Sequence, residues 1–172
     1  MRRAVLIGVA IGAALALLAG AAIASSGSAK AGAMVKTRKT GLGVVLVNAQ
    51  GRTLYLFMKD KHGKSACSGS CASFWPPLIS AGKPVAGAGA KASLLGTTRR
   101  SDGSLQVTYN GHPLYRYAAD AKAGQTRGEE LKVFGSEWFA VSSAGAKVEK
   151  SSGGGGGYGG GGGYGGYGGY GG

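Results

Sequence analysis

A small all-β domain built from two copies of one hairpin unit is the fold that this 172-residue sequence predicts, and three observations predict it. The stretch GRTLYLFMKD, from Gly51 to Asp60, returns sixty residues later as GHPLYRYAAD, from Gly111 to Asp120. Between Gly43 and Gly145 short β-branched or aliphatic runs alternate with Asn, Asp and Gly at turn spacing, the pattern of successive hairpins. Both ends differ in composition from this core, one apolar and one made almost wholly of glycine and tyrosine, so one domain's worth of chain lies between two non-globular segments.

The first segment has the layout of an export signal. Met1-Arg2-Arg3 precedes an apolar stretch from Ala4 to Ala24, and Ser25-Ser26-Gly27-Ser28 then turns polar. Ala22-Ile23-Ala24 supplies the short side chains that a signal peptidase accommodates, so residues 1–24 are expected to be a signal peptide cleaved after Ala24. The rival reading is an uncleaved anchor, which would be the chain's only contact with a membrane. The run matches the roughly 20 residues that span a bilayer. Gly8, Gly12 and Gly20 weaken it, however, and Lys30, Lys36, Arg38 and Lys39 would stand on the outer side, against the usual charge bias. Residues 25–42 read as a basic linker leading into a domain over 43–150.

The first copy, about 44–82, opens with Val44 to Val47 and Thr53 to Met58 flanking the turn Asn48-Ala49-Gln50-Gly51, which closes a hairpin. Residues two apart on a strand share a face, so Tyr55 and Phe57 present paired rings on one side while Leu54, Leu56 and Met58 fill the other. Asp60 falls where the strand gives way to a loop. A carboxylate there accepts hydrogen bonds from free backbone N–H groups and fixes the exit of the chain. Cys67 and Cys71, in CSGSC, are the only cysteines, and in an exported protein two thiols this close are expected to form a disulfide that pinches one loop. A metal site built from Met58, His62 and His112 with the cysteines is the competing reading, although the spacing matches no zinc pattern.

The second copy, about 104–145, follows a hairpin from Leu95 to Arg100 through Asp102-Gly103 to Leu105 to Tyr109. Asn110-Gly111 then turns the chain into Pro113 to Ala118, making a three-strand meander. At an offset of sixty Val47 falls on Val107, Leu54 on Leu114, Tyr55 on Tyr115, Phe57 on Tyr117 and Asp60 on Asp120. Three residues enter after the aspartates, and at sixty-three Trp75 falls on Trp138 and Leu78 on Val141. Arg116 replaces Leu56, which predicts a wetter face in this copy. Neither unit is large enough to bury a core alone, so the two are expected to pack about a pseudo-twofold axis. Residues 151–172 end the chain; from Gly153 they hold only glycine and tyrosine, with Tyr158, Tyr164, Tyr167 and Tyr170 as the sole rings, a composition expected to stay disordered.

The formal net charge is +13, and losing Arg2 and Arg3 with the signal leaves +11, so polyanions are the natural partners. No nucleic-acid motif is present, and export removes the chain from nucleic acid, which leaves anionic wall or surface polymers. There is no G-x-S-x-G, no H-E-x-x-H and no phosphate loop, and no cofactor is implied. Asp60 and Asp120 would form an acid/base pair only if they met at the axis, so the expectation is a protein that is not an enzyme.

GRTLYLFMKD, SACSGSCASFWPPL, RRSDGSLQVTYNGHPLYRYAAD and GSEWFAV together resemble the bacterial secreted-repeat family, predicted lipoproteins described by a Y-x-[FWY]-x-x-D motif, over about Gly43 to Val141. Tyr55, Phe57 and Asp60 fall on the motif, as do Tyr115, Tyr117 and Asp120. The resemblance implies an extracytoplasmic location and a duplicated domain, and it brings no catalytic residues because the family's function is unknown. Lipoproteins carry a cysteine at the signal cleavage point, whereas the first cysteine here is Cys67, so lipid anchoring is not expected. These readings converge on an exported, non-enzymatic cell-envelope protein whose domain, basic linker and Gly/Tyr arm make repeated weak contacts with wall or surface polymers. The alternative is a periplasmic or extracellular protein holding a metal, haem or small ligand near Met58, His62 and His112.

Overall fold

Alternating β-branched residues start the domain earlier than its charge implies. In the computed structural model, which describes residues 30–150, strand β1 (Met34–Thr40) pairs antiparallel along its length with β2 (Gly43–Asn48), from Val35 opposite Asn48 to Thr40 opposite Gly43. Residues 25–42, expected as a basic linker, therefore contain a strand of the fold. Val35 is fully buried while Arg38 and Lys39 stay exposed. One inward apolar residue and β-branched neighbours suffice for a strand, because long basic side chains keep their heads in water. The expected signal peptide over 1–24 and the expected Gly/Tyr tail over 151–172 lie outside the described residues.

The remaining elements are β3 (Tyr55–Phe57), one helical turn α1 (Ser70–Phe74), β4 (Val85–Ala86), β5 (Leu95–Arg99), β6 (Leu105–Tyr109), β7 (His112–Pro113), β8 (Lys132–Val133) and β9 (Ser136–Ala140). They form three small sheets, ordered β2-β1-β4, β3-β9-β8 and β5-β6-β7. The fold is all-β, and the predicted meander is the third sheet. β1 with β2 and β5 with β6 are equivalent antiparallel pairs, so the first copy begins at β1, ahead of residue 44.

Register between the copies differs from the simple offset. Leu54 N–H donates to the Leu46 carbonyl at 2.9 Å, and Leu114 N–H donates to the Val107 carbonyl at 2.9 Å. Leu46, rather than Val47, is thus the counterpart of Val107. The first turn, in which Asn48 N–H donates to the Arg52 carbonyl, is one residue longer than the second, where Tyr109 faces His112. A one-residue slip reverses the face of every side chain before it. Leu46 and Val107 accordingly lie in the same core cluster, and Val47 lies in the other.

Strand β3 separates those two clusters. Leu54 and Leu56 face Leu46, Leu78, Val107, Leu114 and Val141 on one side. Tyr55 and Phe57 face Val45, Val47, Trp75, Tyr115 and Trp138 on the other. Met58 ends the covered stretch at 39% exposure. Cys67 and Cys71 form a disulfide buried in the aromatic cluster and tie the loop after Asp60 to α1. Closing so short a loop contributes about 2 kcal/mol through the unfolded chain.

Candidate functional site

The pseudo-twofold axis passes between two tyrosines. Tyr55 N–H donates to the Tyr115 carbonyl at 2.9 Å and Tyr115 N–H returns a bond to the Tyr55 carbonyl at 3.0 Å. On their outer edges Tyr55 faces Ala140 and Tyr115 faces Pro77. The tryptophans meet beside this pair. Trp75 and Trp138 stack at 3.9 Å between centroids and 5° between planes. Phe57 lies on Trp138 at 4.0 Å, and Tyr117 lies on Trp75 at 4.4 Å. Tyr55 stands perpendicular to Trp75 with centroids 5.3 Å apart, and Tyr115 perpendicular to Trp138 at 5.1 Å. Four rings form a column in the order Phe57, Trp138, Trp75, Tyr117, with two more bracing its centre, and stacked and edge contacts of this kind add to the gain from burial itself.

Hydroxyl and carboxylate groups cross between the copies. The Tyr55 hydroxyl donates to Asp120 Oδ2 at 2.5 Å, and the Tyr115 hydroxyl donates to Asp60 Oδ2 at 2.8 Å. Each second carboxylate oxygen holds its own loop: Asp60 Oδ1 accepts from Ala66 N–H at 2.7 Å and Asp120 Oδ1 from Arg127 N–H at 2.9 Å. Every motif aspartate therefore ties a loop of its own copy to a tyrosine of the other, and the two share no partner. Gly128 is required beside Tyr55, because a Cβ there would lie 2.7 Å from Trp75 Cη2.

Burial governs the acids. It pushes Asp60 up to about 6, although the Ala66 N–H, the Tyr115 hydroxyl and the Arg100 charge pull the other way. Asp120 is raised for the same reason, opposed by the Tyr55 hydroxyl and the Arg127 N–H. Burial and the carboxylates beside them push both tyrosine hydroxyls above their ordinary range, so these remain donors.

Two buried charged residues escape sequence reading. Glu129, pushed up to about 7 mainly by burial, accepts from Ala140 N–H at 2.7 Å through Oε2. Its need is explained by the other copy, where Pro77 stands at the position of Ala140 and has no N–H to satisfy. Arg100 donates to Gln106 Oε1 at 2.7 Å, to Ser65 Oγ at 2.8 Å and to the Cys67 carbonyl at 2.6 Å, clamping the disulfide loop onto β6. The usable signal for Arg100 is strand parity: Thr98 and Arg100 are buried while Arg99 between them is exposed.

The proposed metal ligands fare differently. Met58, His62 and His112 are exposed, and a Cβ at Gly63 would sit 3.3 Å from the Gly111 carbonyl oxygen, so the two histidines occupy neighbouring turns. Both cysteines are committed to the disulfide, and among the described residues no group of three His, Cys, Asp or Glu is gathered to hold a metal.

An apolar groove of about 430 Å³ opens at the Tyr117 end of the ring column, lined by Phe74, Trp75, Tyr117, Leu131, Val133 and Phe134. Phe74 is 57% and Phe134 37% exposed, and their rings lie 6.0 Å apart. Phe134 and Gly135 form the β8–β9 turn with φ of 59° and 86°. Such a turn ordinarily takes Asn-Gly, and left-handed backbone costs a residue with a Cβ about 1–2 kcal/mol. Lys59 lies beside this turn, its Nζ 3.5 Å from where a Cβ at Gly135 would stand, whereas Lys132 on β8 pairs with Glu137 at 3.9 Å. A Phe-Gly pair between two short strands is the only trace of this groove in the sequence.

A family model described as a secreted repeat of unknown function covers residues 36–79 and 96–142, more than half of the chain. Its two segments begin in β1 and β5, in agreement with the structural boundaries of the copies. No curated protein and no solved structure matches the chain.

Two predictions follow from the crossed pairs and the buried acids. In double-mutant cycles, Tyr55→Phe and Asp120→Asn couple by about 1–3 kcal/mol, whereas Tyr55→Phe and Asp60→Asn add to within about 0.5 kcal/mol, measured by urea unfolding. The folded-state values of Asp60, about 6, and Glu129, about 7, lie above the ordinary values of 3.8 and 4.5. The folded chain therefore binds more protons in that window, and stability is full below it and lost as pH rises through 6 to 7. Melting temperature falls between pH 5 and pH 8, and Glu129→Gln removes the upper part of the fall.

Proposed function

The chain belongs to the family of secreted repeats of unknown function, and from that premise we propose that it is a non-catalytic exported module that binds anionic wall or surface polymers through the groove between Phe74 and Phe134. The observation that carries the reading is the exposed aromatic pair, one ring of which sits in a strained turn. A hydrophobic ring held at a cost in the open, over a concave apolar surface, is the usual mark of a contact site. Sugar rings of a polymer can lie against such side chains, and Lys59 beside the Phe134-Gly135 turn supplies a cation for its acidic groups. The carboxylates of the repeated motif are already engaged by hydroxyl and backbone donors, which favours binding over acid/base chemistry.

Retention on isolated cell walls tests the proposal. Phe134→Gly suits the positive φ and keeps the turn, so it removes the ring without disturbing the fold. Combined with Phe74→Ser it lowers retention at least about tenfold, the loss of roughly 1.4 kcal/mol, and added salt weakens what remains. Unchanged retention of the double variant contradicts the reading.

A further inference from the structure

The geometry points to an occupant for this groove within the chain itself: the tyrosines of residues 153–172, folding back onto Phe74, Tyr117 and Phe134. The described chain ends against Glu130, in a polar pocket with Glu137 and Phe139, within a short tether of the groove. Lys150 N–H donates to Glu130 Oε1 at 3.0 Å, and Lys150 Nζ lies 3.4 Å from Glu130 Oε2. Glu130 directly precedes Leu131, which lines the groove just before β8, and Leu131 to Phe134 spans about 10 Å of chain. Tyr158 is eight residues beyond Lys150, a reach of up to about 26 Å when extended. All four tail tyrosines can therefore arrive at the groove.

Chemistry matches as well. The groove presents phenyl, phenol, indole and aliphatic surface, and residues 153–172 carry no charged side chain and no side chain other than tyrosine rings. Tyrosine brings a flat apolar face for Phe74 and Phe134 and a hydroxyl that stays in water at the rim. Glycine on either side imposes no preferred direction, so any of the four rings can enter. Tethering raises the local concentration of rings to the millimolar range, and a contact too weak to form between separate molecules is then populated. Lys59, beside the Phe134-Gly135 turn, meets no acidic side chain in this segment, so a charged polymer entering the groove makes a contact that the tail's side chains cannot. A charged polymer that enters the groove therefore competes with the tail for the same surface. That consequence rests on the polymer reading above; the docking does not.

The test uses the intact exported chain with ¹³C-labelled tyrosine rings, observed by NMR. Docking in cis shifts tail tyrosine ring signals upfield of their free-peptide positions, through the ring currents of Phe74, Tyr117 and Phe134. Phe134→Gly with Phe74→Ser returns them, and the shifts persist on roughly hundredfold dilution. Signals at free-peptide positions in the intact chain overturn the proposal. So do shifts that vanish on dilution, which would place the tail in the groove of a second copy. Replacing Tyr158, Tyr164, Tyr167 and Tyr170 by glycine raises retention on cell walls severalfold if the polymer uses the same groove. Tail shifts without wall retention by either chain would refute the polymer reading alone. Equal retention by both chains with no tail shift would refute the docking alone.

Discussion

Everything in this molecule depends on the antiparallel pairing of Tyr55 with Tyr115. Their reciprocal backbone bonds set the axis that relates the two copies, and the side chains then carry the relation outward. With the backbones locked in that register, each hydroxyl falls on the carboxylate of the opposite copy, and Trp75 falls flat on Trp138. The repeated aromatic-aromatic-acid motif is in this sense half of a fastening. Its aspartate finds its tyrosine only in the other half, so the motif has to occur twice.

Symmetry breaks where the copies carry different loops, and the groove lies there. In the first copy a disulfide and α1 follow Asp60, and α1 delivers Phe74. In the second copy the β8–β9 hairpin occupies the matching region and delivers Val133 and Phe134, while Glu129 satisfies an N–H that Pro77 lacks in the first. The ring column is closed at the Phe57 end, where the ring is 2% exposed, and open at the Tyr117 end. Two sequence departures between otherwise matching units therefore turn a sealed core into a surface with one accessible aromatic edge.

Sequence reading reached the parts of this fold set by local rules. Turn residues disclosed the hairpin and meander, cysteine spacing disclosed the disulfide, and the exact return of GRTLYLFMKD as GHPLYRYAAD disclosed the duplication. It assigned each aspartate to its own loop, which is half of what the carboxylates do, because the other half depends on which strands meet across the axis. β1 was hidden by its two lysines and one arginine. The pairing of Leu46 with Val107 was hidden by one extra residue in a turn, since an offset counted along the chain does not reveal where a loop absorbs a residue. Phe74 and Phe134 are remote in sequence and resemble nothing repeated, so only the packed structure brings them together.

The central claim is that neither copy is a folding unit without the other's tyrosine and tryptophan. Residues 30–91 and 92–150 divide the chain between β4 and β5, and the stacked Trp75–Trp138 pair gives an exciton-coupled circular dichroism signal that only the joined copies can produce. Each fragment prepared separately is expected to lack a cooperative thermal transition, and an equimolar mixture to recover both the transition and the couplet. A fragment that melts cooperatively on its own would contradict the account.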